Sequence, residues 1–171
     1  MKTILRASAA IAVLVAFAAG LSSLNSERAH AAPVAANANY LKNPQTGGLT
    51  LATISSLSFG RSGLLLVAEA GTGSVVGIET GDVGPMKKPK QKIEDIGSVV
   101  ADGLGTTSDS ITVSDMAVNP SSGRVYLSVS RKPDNAAAII TIDADGKAAA
   151  LDTAKLSWAR VSLPGGTTSK V

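Results

Sequence analysis

Two stretches of this chain repeat one pattern. Residues 57–68 read Leu-Ser-Phe-Gly-Arg-Ser-Gly-Leu-Leu-Leu-Val-Ala, and residues 116–128 read Met-Ala-Val-Asn-Pro-Ser-Ser-Gly-Arg-Val-Tyr-Leu-Ser. Each joins a short apolar-alternating run to a second one through a turn closed by glycine. A third run follows each, at 74–79 and at 137–143. A duplicated multi-strand unit constrains the fold more tightly than composition does, because stacked copies bury surface that one copy cannot. It predicts a mainly β chain of antiparallel hairpins and is silent on chemistry.

Taken in order, the turn and strand signals predict strands at 54–59, 64–68 and 74–78, linked by turn-rich segments at 60–63 and 70–73. Leu64-Leu-Leu-Val67 is continuous rather than alternating, which predicts a strand buried on both faces. Residues 81–92 read as a loop, broken by Pro85 and Pro89 and carrying Lys87, Lys88, Lys90 and Lys92. Four lysines could contact an anionic surface, but without an aromatic they read better as a solvated loop. A helix is predicted over 93–104. Ile93, Ile96, Val100 and Leu104 form one stripe, Glu94 and Asp95 lie in its first turn, and Gly103 and Gly105 can end it. It is expected to cap an edge or end of the sheet structure. The second unit predicts strands at 111–118 with a bulge near Asp115, then at 125–130, 138–143 and 148–151. Residues 156–163 look like the opening of a further strand. The organisation expected is a leader at 1–31, a flexible lead-in at 32–48, a first unit at 49–82, and a basic loop plus short helix at 83–110. A second unit at 111–154 and the start of another strand or unit at 155–171 complete it.

The leader has the pattern of an export signal. Lys2 and Arg6 precede an uncharged, mainly apolar run at 7–21, and Ala29-His30-Ala31 places small residues where a signal peptidase reads, so cleavage is expected before Ala32. The run is shorter than the about 20 residues a membrane span needs. No cysteine is present to carry a lipid anchor, and no arginine pair marks the twin-arginine route. A secreted or periplasmic location without a stable membrane anchor is therefore expected.

Without Lys2, Arg6, Arg28 and Glu27, the remaining chain has 13 basic and 12 acidic residues. The pI near 9.3 is mostly a leader effect and gives no argument for nucleic acid. Tyr40, Phe59, Tyr126 and Trp158, the aromatics beyond the leader, are too few for a base-stacking platform. The single histidine, His30, lies in the leader, and cysteine is absent. Disulfide stabilisation is excluded, as are Ser-His-Asp and Cys-His nucleophile systems and the usual zinc, copper and haem ligand sets. Carboxylate, Lys, Ser, Thr and Tyr chemistry remains, with hard cations held by oxygen.

Three motifs fail on inspection. Gly71-Thr-Gly-Ser-Val-Val-Gly77 has its third glycine one place late for a dinucleotide loop, and a helix cannot follow it; a hairpin turn is the better reading. Gly60-Arg-Ser-Gly63 is no nucleophile elbow. Asp143-Ala-Asp-Gly146 opens like a calcium loop, but Lys147, Ala148 and Ala154 occupy its next ligand, glycine and closing-acid positions. A tight turn is expected there.

Asn119-Pro-Ser-Ser-Gly-Arg-Val-Tyr-Leu127 resembles the repeat of secreted β-propellers of the YVTN and NHL type, and Phe59-Gly-Arg-Ser-Gly-Leu-Leu-Leu-Val-Ala-Glu69 looks like the same unit, with Glu69 where NHL-like repeats often have Asp. The resemblance implies four-stranded blades around a central axis. A closed propeller takes about four to eight blades, and two are visible here. Gly63 and Gly123 are also 60 residues apart, against roughly 40–50 per blade. The expected fold is therefore an incomplete β-propeller. It is a fragment of a longer protein, a set of blades closed by an oligomer, or a small open sheet whose unpaired edges favour self-association.

The function this implies is an exported binding or structural module of unknown ligand, more in keeping with a non-enzyme. The alternative is part of a divalent-metal-dependent hydrolase of the lactonase kind. Gluconolactonase-like propellers hold a cation with acids and Asn near the channel, so the resemblance marks Glu69, Asp115 and Asn119 as candidate ligands for Ca2+ or Mg2+. The competing reading gives Asp115 a turn backbone to bind and leaves Glu69 facing water.

Overall fold

The computed structural model describes residues 40–132 and 134–165. The leader, the first part of the lead-in and the last six residues lie outside the described residues. The fold is mainly β: two antiparallel sheets of five and four strands, neither closed into a barrel, and one short α-helix.

The first repeat builds β2 (Ile54–Phe59), β3 (Leu64–Glu69) and β4 (Ser74–Glu79), an antiparallel meander in which Leu57 pairs with Val67 and Val67 with Val76. The second builds β5 (Ile111–Val118), β6 (Val125–Arg131), β7 (Ala137–Ile142) and β8 (Ala148–Ala150), paired in sequence order. Its expected bulge is present, as a register shift between Val113 and Asp115. The Asp143–Gly146 turn is also present: Gly146 N–H donates to the Asp143 carbonyl, and the Asp143 carboxylate accepts from Asp145 and Lys147 N–H.

Two short strands complete the first sheet from outside the repeat. β9 (Ser157–Ser162) pairs antiparallel with β4, Trp158 opposite Ile78, and β1 (Gln45–Thr46) pairs with β9. The order is β1-β9-β4-β3-β2. The run expected to open a further strand or unit is a strand, and it supplies the fourth strand of the first meander. Part of the expected lead-in is likewise tied down: Gly47 N–H donates to the Leu156 carbonyl, and Trp158 Nε1 to the Gly47 carbonyl.

Packing follows from strand alternation. Leu57, Leu65, Val67, Val76, Ile78 and Trp158 form the inner face of the first sheet and meet Tyr126 and Ile139 of the second. The opposite face of the second sheet, with Leu127, Val129, Ile140 and Ile142, is covered by Val100 and Ala101 of α1 (Ile96–Leu104). The helix thus covers a face rather than an edge or end. It also starts three residues later than the apolar stripe predicts, because Asp95 has extended backbone and caps it, accepting from Ser98 N–H at 3.1 Å. Glu94 stays outside the helix. Gly105 ends it in a left-handed conformation, φ +65°, whereas Gly103 lies within it, too close to Ala148 for a side chain.

The strand at 64–69 is not buried on both faces. Leu65, Val67 and Glu69 point inward, while Leu66 is 38% exposed. The continuous apolar run has one outer face that packing leaves partly open.

Candidate functional site

The three residues marked as cation ligands stand in three separate hydrogen-bond clusters. Glu69 ends β3 on the inner face and is 1% exposed. Its carboxylate accepts from Ala52 N–H (2.7 Å), the Ser74 hydroxyl (2.8 Å) and Arg160 Nε (2.9 Å). Arg160 Nη2 reaches it at 3.2 Å, donates to the Thr50 carbonyl at 2.6 Å, and the guanidinium lies 5.4 Å from the Trp158 ring centroid. Burial alone would raise the Glu69 pKa. The Ala52 N–H, the Ser74 hydroxyl and Arg160 together outweigh it and hold the carboxyl below its ordinary value. Glu69 therefore does not face water. It ties β3, β4 and β9 to the segment before β2.

Asp115 sits at the bulge of β5. Oδ2 accepts from Leu57 N–H at 2.7 Å and Oδ1 from Met116 N–H at 2.8 Å. The Leu57 bond is the largest cause of its lowered pKa, with Met116 N–H second. Leu57 belongs to β2, the edge of the first sheet. A carboxylate of one sheet thus satisfies an outward edge amide of the other.

Asn119 follows β5 and is wholly buried. Nδ2 donates to the Asp82 carbonyl at 2.6 Å, and Oδ1 accepts from Ser121 N–H at 2.9 Å. Asp82 collects the rest of this cluster: its Oδ2 accepts from the Ser122 hydroxyl (2.7 Å) and the Tyr126 hydroxyl (3.0 Å). Burial first, and the Asp82 charge second, push the Tyr126 phenol up to about 12, so it remains a neutral donor at ordinary pH. A cleft of about 190 Å³ opens beside the cluster, bordered by Asp82, Lys87, Ser122, Arg124, Asp143 and Asp145. Both signs of charge line it, and Asp145 already pairs with Lys90. Ser122 lies against a carboxylate with no histidine to carry its proton, since His30 is the chain's single histidine. The arrangement holds the loop after β4 against the β5–β6 turn.

Among the described residues, no three His, Cys, Asp or Glu side chains gather to hold a metal ion. Among those same residues, no helix is long and apolar enough to cross a membrane. Sequence reasoning missed Arg160 and Asp82. Arg160 had a legible signal, since it falls two places from Trp158 and so shares its strand face. Asp82 had none, because its partners are 37 to 44 residues away. Comparison with protein-family models, with curated proteins and with solved structures yields no match.

Proposed function

We propose that this chain is an exported binding or structural module built from propeller-type blades. One observation carries the reading: the antiparallel set β2, β3, β4 and β9, extended to five strands by β1, packs face to face through one core on the four-stranded sheet β5 to β8, with Leu57 of the first sheet bonded to Asp115 of the second. Stacked four-stranded units are what the blade resemblance implies. The leader pattern supports export, and open strands at the sheet edges support self-association as part of its behaviour. Glu69, Asp115 and Asn119 serve the fold in this reading.

Two measurements test it. N-terminal sequencing of the exported product should begin at Ala32; unprocessed chain retained in the cytoplasm would contradict export. Millimolar Ca2+ or Mg2+ should leave the melting temperature unchanged. A metal-dependent rise that Asp115→Ala abolishes would instead establish the hydrolase alternative.

A further inference from the structure

A second, apolar cavity lies away from all three clusters. It measures about 390 Å³, within the size range of small-molecule sites. It lies where α1 stops at Gly105, bordered by Val129 and Arg131 of β6 and Ala137 and Ala138 of β7. Leu104, Ile111, Val129, Ala137 and Ala138 supply its apolar wall. Ile111 and Val129 are nearly buried, at 6% and 3% exposure, so the cavity floor is the core of the second sheet. Ala136, Ala137 and Ala138 all border it, so the side chains at that end of β7 are short.

At about 30 Å³ per water-sized group, the cavity takes roughly a dozen non-hydrogen atoms. Its rim carries one permanent cation, Arg131. Arg131 Nε donates to Asp134 Oδ1 at 3.0 Å and Nη2 donates to Oδ2. Nη1 has no hydrogen-bond partner among the described residues. A guanidinium with a free edge beside an apolar wall selects a ligand whose polar end accepts hydrogen bonds, and a carboxylate does so most strongly.

We propose that this cavity binds a short-chain aliphatic carboxylate, chain against Val129 and Ala138, head group on the free edge of Arg131. The proposal gives the binding-module reading a ligand class and rests on that reading for its biological use. Its test does not depend on export, which is read separately from the N-terminus of the exported product.

The test is a nuclear magnetic resonance titration of the full chain with octanoate and, in parallel, octan-1-ol, both below their aggregation limits. Octanoate should shift the amides of Ile111, Val129 and Ala138 saturably, with half-saturation at about 1 mM or below, as expected for a ligand of this size. Arg131→Gln, at an exposed side chain, should weaken octanoate about tenfold and leave octan-1-ol unchanged. Ala138→Leu, which fills the cavity, should abolish both. Equal binding of acid and alcohol, unaffected by Arg131→Gln, would overturn the carboxylate assignment. Shifts that never saturate, or that fall elsewhere on the protein, would overturn the site.

Discussion

Glu69 and Ser128 are opposite cases of a buried polar side chain. Glu69 has every contact a carboxylate asks for, and breaking the set strands its partners. Glu69→Ala should cost about 1–3 kcal/mol, the usual penalty for leaving buried donors unmet, measured by urea unfolding, since the Arg160 side chain it also leaves is 34% exposed. The pH dependence has a definite sign. The folded carboxyl titrates below its ordinary value of 4.5, so as pH falls the unfolded chain takes up the proton first. Stability from Glu69 is full above that value and is lost as pH falls through the folded pKa. The acid limb of the melting curve should therefore be shallower in Glu69→Gln than in the unaltered chain; equal slopes would show that Glu69 does not carry it. Ser128 is also 1% exposed, yet among the described residues its hydroxyl has no hydrogen-bond partner. Desolvating an unmet hydroxyl costs about 1–3 kcal/mol, so Ser128→Ala should leave stability unchanged or raise it. A loss above about 1 kcal/mol would mean the hydroxyl has a partner, such as a bound water.

The hairpins were the most legible elements, and the glycines explain why. Gly63 and Gly123 occupy equivalent places in the two repeats and adopt φ of +74° and +78°. Each also lies under the loop after β4. A Cβ on Gly63 would sit 2.8 Å from the Asp82 carbonyl oxygen, and one on Gly123 would strike the Lys87 carbonyl. A side chain in this conformation costs roughly 1–2 kcal/mol before any clash, so Gly123→Ala should destabilise by at least that much in thermal or urea unfolding; a neutral result would mean the loop is not seated there. Local chemistry of this kind is written into the chain, as are the Asp115 bulge and the Asp143 turn. The start of α1 was less legible, because Ile93 continues the apolar stripe while Asp95, two residues on, caps the helix. The surroundings of the three candidate cation ligands were illegible for a different reason. Acids beside buried strands look alike in sequence whether they face a channel, an edge amide or an arginine, and the partner that decides is distant: Arg160 is 91 residues from Glu69, and Leu57 is 58 from Asp115.

At the scale of the whole molecule, the decisive contact is the pairing of β4 with β9. It joins residues 74–79 to 157–162 and gives the first sheet its fourth strand. The repeat predicted three strands there and left the fourth open, since nothing local in Trp158-Ala-Arg-Val161 names its neighbour. With β9 in place, β4 is an interior strand; without it, β4 is an edge. Hydrogen exchange of the β4 amides distinguishes the two most directly, because successive amides of a strand point to opposite neighbours. If β9 pairs as described, all the interior amides of β4, from Val75 to Ile78, should be protected to a similar degree. Alternating protection, with every second amide exchanging as fast as the loop at 81–92, would contradict the account.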